Sequence, residues 1–189
     1  MNKKTVIRLI IALMLIAVGS YFYAYVKRDT ALYDTEYTRS QMVPSIGIYS
    51  GHDFIYEFDS DSDNITGMKL MLSYSGQKTG SIEYSLTDCS TGSEVSSGSL
   101  KLSRFKSGKF SFLDTKTVKD SAGKRYRLTV SCGNSEENAA VAAVLPDGSG
   151  IAAVCCTYRV WDLQTMLISA FLALYLVVFI AVLVKIFRR

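Results

Sequence analysis

The chain has 189 residues, with 21 lysines and arginines against 17 aspartates and glutamates, and a formal net charge of +4. A hydrophobic content of 49% is too high for a disordered protein, and the length allows one or two small folding units rather than a multidomain enzyme. Four cysteines and a single histidine leave little from which to build a dedicated metal site or a histidine-centred catalytic site.

An uncharged stretch of 18 residues, 9–26, follows a basic N-terminus, residues 1–8. As a helix this stretch is long enough to cross a bilayer, so we predict a transmembrane helix preceded by a cytoplasmic segment. A cleaved signal peptide is the alternative, because residues 17–19 are small enough for a cleavage site. Retention of the helix is favoured because the aromatic residues within 21–25 continue the apolar stretch as an interfacial belt.

The middle of the chain is predicted to be a polar stalk, residues 27–45, followed by an external domain of strands, residues 46–160. Short stretches of alternating apolar and polar residues recur in this domain and are separated by turns rich in glycine and serine. The clearest stretches are 68–74, 82–86 and 126–132, and a last pair of strands, 139–144 and 151–158, is joined by a connection typical of a tight hairpin. Seven to nine such strands, without helical periodicity between them, predict an antiparallel β-sandwich.

A second uncharged stretch, residues 163–184, is predicted to be another transmembrane helix, and a basic tail, residues 185–189, follows it. The two chain ends carry six bases and no acid, and all 17 acids lie between the predicted spans. By the positive-inside rule both termini are cytoplasmic, and residues 27–162 lie outside the cytoplasm. We therefore predict a two-pass protein of the cell membrane, with an all-β external domain flanked by two transmembrane α-helices.

Small residues four positions apart occur in both predicted spans and would let helix backbones approach closely. They are Ser20 and Ala24 in the first span and Ser169 and Ala173 in the second. Tyr175 places a hydroxyl near the middle of the second span, so it either faces lipid while bonding a nearby carbonyl or contacts another helix. These features predict contact with the lipid bilayer and with a larger integral membrane protein.

Asp59, Asp61 and Asp63 alternate with polar residues and resemble the start of a calcium-binding loop. The glycine expected at the sixth position is Asn64 and the glutamate expected at the twelfth is Leu70, so a helix-loop-helix calcium site is excluded. A looser structural calcium site is one interpretation, and an acidic solvent-exposed turn is the favoured one. No other cofactor is predicted.

Cys89 and Cys132 fall at strand ends of a domain that we place on the oxidising side of the membrane, where a disulfide between them would join two strands. Cys155 and Cys156 are adjacent, so their side chains point to opposite faces of a strand and are not expected to bond each other. At least one of this adjacent pair is expected either to be a buried small apolar side chain or to pair with Cys89 or Cys132.

The order of strands and turns from Phe54 through residues 65–72 and 80–88 to residues 123–130 resembles the jelly-roll modules of the carbohydrate-binding type. Similar modules occur in the outward loops of bacterial membrane proteins from surface-polysaccharide and teichoic-acid glycosylation pathways. The resemblance covers roughly residues 48–158 and rests on a pattern of strands and turns rather than on an invariant signature. It implies a two-sheet jelly roll and contact with glycan, and it implies no catalysis.

Sugar binding needs exposed aromatic faces beside hydrogen-bonding groups. The candidates at predicted strand ends or in loops are Tyr49, His52, Tyr74, Arg104 and Phe105, although aromatic residues at such spacing are also typical of a core. His52 has no recognisable nucleophile motif nearby, so no catalytic residue and no enzymatic activity are predicted.

A basic run of Lys101, Arg104, Lys106 and Lys109 either faces anionic glycan or lipid phosphate or protects an exposed edge strand. The sequence thus favours a non-catalytic accessory protein of an envelope-polysaccharide or glycosyltransferase membrane complex. Its expected partners are the bilayer, a larger membrane protein and envelope glycan, with no nucleic acid. A scaffold or assembly subunit that binds protein only is the alternative.

Overall fold

The structure is a computed structural model, and it describes residues 3–77, 79–104 and 106–187. The outermost residues of the two predicted cytoplasmic segments therefore lie outside the described residues. The chain divides into two compact units. The helical unit comprises the described parts of Met1–Val26 and Val160–Arg189, and the strand unit comprises the described parts of Lys27–Arg159.

The helical unit contains two helices, α1 (Lys3–Tyr23) and α2 (Leu163–Phe187). Within α2, the 21 residues Leu163–Leu183 are long and apolar enough to cross a bilayer. The apolar part of α1, Ile10–Tyr23, is shorter, so α2 is the one candidate span among the described helices. The predicted first span, residues 9–26, does not remain helical to its end, because the chain is already extended at Tyr25. A two-pass topology therefore stays a prediction.

Ten strands account for most of the remaining described residues, which confirms the prediction of a mainly antiparallel β-protein with two helices. They are β1 (Tyr25–Ala31), β2 (Val43–Ile48), β3 (Phe54–Asp59), β4 (Ile65–Tyr74), β5 (Ser81–Asp88), β6 (Glu94–Lys101), β7 (Lys109–Val118), β8 (Arg125–Cys132), β9 (Ala140–Val144) and β10 (Val154–Trp161). Single turns of 3₁₀ helix lie at 39–41, 102–104 and 136–138.

The strands form two sheets. The six-stranded sheet has the order β1-β10-β4-β9-β2, with β7 on the other edge of β4, and the four-stranded sheet has the order β3-β8-β5-β6. Period-2 alternation explains the four-stranded sheet: Ile82, Tyr84 and Leu86 on β5 are buried, while Glu83 and Ser85 between them are polar and more exposed. Hydrogen bonds join β7 to β5 and to β6, so the buried faces of the two sheets are linked through β7.

Strand β4 is buried on both of its faces, so apolar side chains lie on both faces of its central part. One face carries Leu70 and Leu72, both fully buried. On the other face, Met71 belongs to a second core of buried side chains that also contains Met42 and Leu145. Each side chain buried in this way stabilises the fold by about 1.5–3 kcal/mol.

The expectation that residues 27–45 form a polar stalk is wrong. These residues contain β1, a 3₁₀ turn and the start of β2, and from Lys27 onward they belong to the strand unit. Tyr33 stacks on Phe110 of β7 with ring centroids 6.3 Å apart, and Tyr37 also packs on the second core. The few apolar residues of this segment are irregularly spaced, so they show no strand or helix period although they cover one face of the six-stranded sheet.

Candidate binding surfaces

The outer side of the four-stranded sheet carries a concave polar surface of about 510 Å³, which we call the hydroxyl face. Its lining comes from three neighbouring strands and includes Glu83 and Ser85 of β5, Glu94, Ser97 and Ser99 of β6, and Thr129 and Ser131 of β8. The central residues share one face because the register pairs Glu83 with both Ser99 and Ser131, and Ser85 with both Ser97 and Thr129. The surface therefore presents rows of hydroxyls together with two carboxylates, those of Glu83 and Glu94.

The hydroxyl face continues into a second depression of about 470 Å³ at the end of the sheet, and Glu83 and Ser131 line both. The second depression also has Asp53 and Asn134 on its wall. Asn134 braces this end of the sheet, because its side-chain amide donates hydrogen bonds to the carbonyls of Thr79 and Asn138, at 2.8 and 3.1 Å. The Glu83 side chain forms no ion pair or hydrogen bond with any described residue, so its carboxylate is free to accept hydrogen bonds from a ligand.

On the β3 side of the same sheet the carboxylate of Glu57 is paired with two arginines. Glu57 accepts hydrogen bonds from Nε and Nη2 of Arg127, at 2.9 and 2.7 Å, and lies 3.2 Å from Nη2 of Arg125. The Arg127 hydrogen bonds, followed by the charges of Arg127 and Arg125, hold the pKa of Glu57 below its ordinary value, and the same pairing raises the pKa of Arg127. The paired charges on β3 and β8 contrast with the free carboxylate of Glu83 on β5.

A second surface, the basic cleft, has a volume of about 340 Å³. It is lined by Leu100 at the end of β6, Arg104 and Lys106 in the connection, and Lys109, Phe110, Ser111 and Phe112 of β7. Arg104, Lys106 and Lys109 are exposed, and none of them forms an ion pair with a described residue. The predicted basic run therefore lies largely around a single cleft that has apolar walls.

The aromatic candidates do not form a single sugar platform. Tyr49 and His52 lie in the β2–β3 turn, with ring centroids 4.4 Å apart, and their backbones exchange two hydrogen bonds, at 3.2 and 2.8 Å. The two rings therefore contact each other, although His52 remains exposed and its neighbours in the turn line the second depression. Tyr74 is half-buried at the end of β4, whereas Arg104 lines the basic cleft. Phe105 lies outside the described residues.

The geometry of the three aspartates gives no support to the looser calcium interpretation. Among the described residues, no group of three or more histidine, cysteine, aspartate or glutamate side chains is arranged to hold a metal ion, so Asp59, Asp61 and Asp63 do not converge. Asp63 Oδ1 instead accepts the backbone N–H of Ala122 at 2.9 Å. The hydroxyls of Ser60 and Ser121 both donate to the carbonyl of Ser62, at 2.9 and 2.8 Å. The acidic segment is a hydrogen-bonded turn, which was the favoured interpretation of the sequence.

A disulfide between Cys89 and Cys132 is also wrong for this fold, and all four cysteines are free thiols. Cys132 lies opposite Ile82 at the start of β5, while Cys89 follows the end of β5. Seven residues at about 3.3 Å each separate the two positions along the strand, far beyond the 4.4–6.8 Å that a disulfide requires between Cα atoms. Cys155 and Cys156 are both buried, and burial raises the pKa of the Cys156 thiol to about 12 and raises that of Cys155.

The small residues that were predicted to permit close helix approach differ in their exposure. Ser20 and Ala24 are buried, with exposures of 5% and 0%. Ser169 and Ala173 are half-buried and lie in an apolar groove on α2. Tyr175 is 64% exposed and stacks on Phe179 of the same helix, with ring centroids 6.2 Å apart. The prediction that these residues contact a partner helix stays a prediction.

Sequence reasoning missed the hydroxyl face, although part of its signal was present. Glu83 and Ser85 alternate with the apolar residues of β5, and this pattern alone places them on the outer side of a sheet. The neighbours of β5 could not be known, because Ser99 and Ser131 come from strands that are distant along the chain.

The sequence matches none of the protein-family models and none of the curated proteins with which it was compared.

Proposed function

We propose that the chain is a non-catalytic membrane accessory protein with two spans, whose strand unit lies outside the cytoplasm and binds envelope glycan. It would act beside a larger membrane protein of an envelope-polysaccharide or glycosyltransferase complex. The free carboxylate and the surrounding hydroxyls of the hydroxyl face carry this proposal, because sugars are recognised through hydrogen bonds that such groups both donate and accept.

Membrane attachment is supported by α2 and by the aromatic residues at the junctions. Tyr21 and Trp161 have ring centroids 6.0 Å apart, and Tyr21 also contacts Tyr25. Tyrosine and tryptophan rings of this kind favour the interface between lipid and water. The basic residues at the chain ends support cytoplasmic termini by the positive-inside rule.

The strand order supports the jelly-roll assignment and with it the carbohydrate-binding resemblance. A jelly roll is a double sheet of eight strands built from two Greek keys. In this chain strands β2 to β9 form the orders β2-β9-β4-β7 and β3-β8-β5-β6 in the two sheets. Successive strands from β2 to β9 lie in different sheets at every step except the step from β5 to β6. Strands β1 and β10 extend the first sheet.

The test is glycan binding by the full chain in detergent micelles, with a panel of envelope polysaccharide fragments. Glu83→Gln keeps the size of the side chain and removes its charge, so we expect at least a tenfold loss of affinity, as for a hydrogen bond to a charged group. Glu137→Gln is the matched control, because Glu137 is an exposed carboxylate outside the hydroxyl face, and it should leave affinity unchanged. Binding that tolerates Glu83→Gln, or no binding to any fragment, would reject the proposal.

The alternative is a scaffold or assembly subunit that binds protein only. The apolar groove of about 430 Å³ on α2 favours a membrane partner under either function, since Ser169 and Ala173 on its wall permit close helix approach. Purification from membranes in mild detergent distinguishes the two, because a scaffold would co-purify with a protein partner and show no affinity for glycan.

A further inference from the structure

The basic cleft coincides with a free edge of the six-stranded sheet. Among the described residues, β7 pairs with β4 alone, through a regular antiparallel register from Lys109 to Asp114. In such a ladder the N–H and carbonyl of alternate residues point to the same edge. The edge to which the N–H and carbonyl of one residue point therefore fixes the edge to which those of every other residue point along this part of β7.

The edge that faces away from β4 is identified by two hydrogen bonds from the four-stranded sheet. The Asp114 carbonyl accepts the Tyr84 hydroxyl at 2.8 Å, and the Lys116 N–H donates to Ser96 Oγ at 2.9 Å. Phe112 and Phe110 lie two and four residues before Asp114, so their N–H and carbonyl groups also point to this edge. No described strand pairs with them there, and they border the basic cleft.

The floor of the cleft holds another polar group without a partner. Ser111 is 94% buried, given an exposure of 6%, and its Oγ has no hydrogen-bond partner among the described residues. A buried hydroxyl in this state is destabilising unless a ligand or water satisfies it. The edge, the hydroxyl and the half-buried side chain of Leu100 therefore line one cleft.

The charge around this edge has one sign. Residues 95–113 contain four bases and no acid. Arg104, Lys106 and Lys109 surround the opening, and on the other side of β7 the cations of Lys27 and Arg39 lie 5.1 and 5.2 Å from the ring centroids of the two phenylalanines. An occupant must therefore be anionic.

We infer that the free edge of β7 receives an extended acidic segment of a partner protein, which adds to the six-stranded sheet as a further strand. Its backbone would pair with the N–H and carbonyl groups of Phe110 and Phe112, and its carboxylates would pair with Arg104, Lys106 and Lys109. A phosphate would satisfy the cations but would offer no donor to the two outward carbonyls, whereas a peptide backbone satisfies donors and acceptors together. This inference concerns a surface other than the hydroxyl face, so it does not depend on glycan binding.

The test uses the full chain in detergent micelles and three probes: a fluorescent peptide of alternating glutamate and valine, the same peptide N-methylated at alternate amides, and inorganic polyphosphate. We expect the acidic peptide to bind and to slow amide hydrogen exchange at Phe110 and Phe112. Methylation of the amides that face β7 should abolish binding, because strand pairing needs those donors.

Two double variants of equal charge change provide the control. Lys106→Glu with Lys109→Glu should weaken peptide binding at least tenfold, whereas Lys119→Glu with Lys124→Glu, at exposed lysines outside the cleft, should change it less than twofold. The inference is overturned if the acidic peptide fails to bind at millimolar concentration, if the methylated peptide binds equally well, or if polyphosphate binds at the cleft and displaces the peptide without any exchange protection of the two phenylalanine amides.

Discussion

The carboxylate of Asp29 ties the first strand to the middle of the six-stranded sheet. It accepts a hydrogen bond from Thr157 Oγ1 at 2.7 Å and forms an ion pair with Lys69. Partial burial acts to raise the pKa of Asp29, but the hydrogen bonds from Lys69 and Thr157, together with the charge of Lys69, outweigh it and hold the pKa below the ordinary 3.8. With its side chain 42% exposed, the pair is partly screened by water.

This lowered pKa predicts an acid-sensitive contribution to stability. The contribution is fully present above the unfolded-state value near 3.8 and is lost as the pH falls through the lower pKa of the folded state. Asp29→Asn, which cannot ionise, should be less stable than the parent at pH 6, and the difference should shrink below pH 4. Thermal unfolding of the full chain in detergent between pH 6 and pH 3 measures this.

Lys69→Gln provides a second arm of the same experiment, because it removes the cation and leaves the carboxylate. It should also reduce the stability difference between pH 6 and pH 3. A profile for Asp29→Asn that runs parallel to the parent at every pH would show that the ion pair does not contribute.

Among the elements, strands β5, β6 and β7 depend on one side chain that bridges the sheets. Tyr84 of β5 is 7% exposed, passes over Gly98 of β6 and donates its hydroxyl hydrogen to the Asp114 carbonyl of β7. Burial raises the pKa of Tyr84, so the hydroxyl keeps its proton and remains a donor. A Cβ atom at Gly98 would lie 2.4 Å from the Tyr84 hydroxyl oxygen, which is too close for any side chain.

Gly98→Ala should therefore displace Tyr84 and lower the free energy of unfolding by about 1–3 kcal/mol, the usual cost of overpacking a core. Gly133→Ala is the matched control, because no atom lies within 4 Å of a Cβ at that position and its φ is not in the left-handed region. Chemical denaturation of both variants measures the difference. Equal stability of the two variants would mean that the ring does not bridge the sheets as described.

For the molecule as a whole, both connections between helix and strand are single residues. Helix α1 ends at Tyr23 and β1 begins at Tyr25, while β10 ends at Trp161 and α2 begins at Leu163. Asp162 begins α2 by accepting hydrogen bonds from the backbone and hydroxyl of Thr165, at 3.1 and 2.6 Å.

The sequence was most informative where a strand buries one face. The alternation within 82–86 and 126–132 predicted β5 and β8 because only one side of each strand meets the core. It was least informative at residues 27–45, where irregular apolar side chains cover an existing sheet. Similarly, α1 ends where the chain enters a sheet at Tyr25, and no feature of the local sequence predicts that end.

The candidate sites divide in the same way. The basic run around Arg104 was visible in the sequence, but its position beside a free strand edge depends on which strands pair. The proposed disulfide failed for this reason, since two strand ends can belong to opposite ends of one ladder, as Cys89 and Cys132 do. The calcium interpretation failed because Asp63 turns to a neighbouring backbone N–H.

The placement of the strand unit outside the cytoplasm, between membrane helices, is the central claim and is tested by labelling in spheroplasts with a membrane-impermeant maleimide. In a Cys89→Ser background the other native thiols are buried, so the maleimide should react only with an introduced cysteine. Ser149→Cys in the exposed β9–β10 loop then reports the side of the strand unit, and Asn2→Cys reports the side of the N-terminus. We predict that Ser149→Cys is labelled in intact spheroplasts and that Asn2→Cys is labelled only after permeabilisation. Protection of Ser149→Cys until permeabilisation, or labelling of Asn2→Cys without it, would contradict this account.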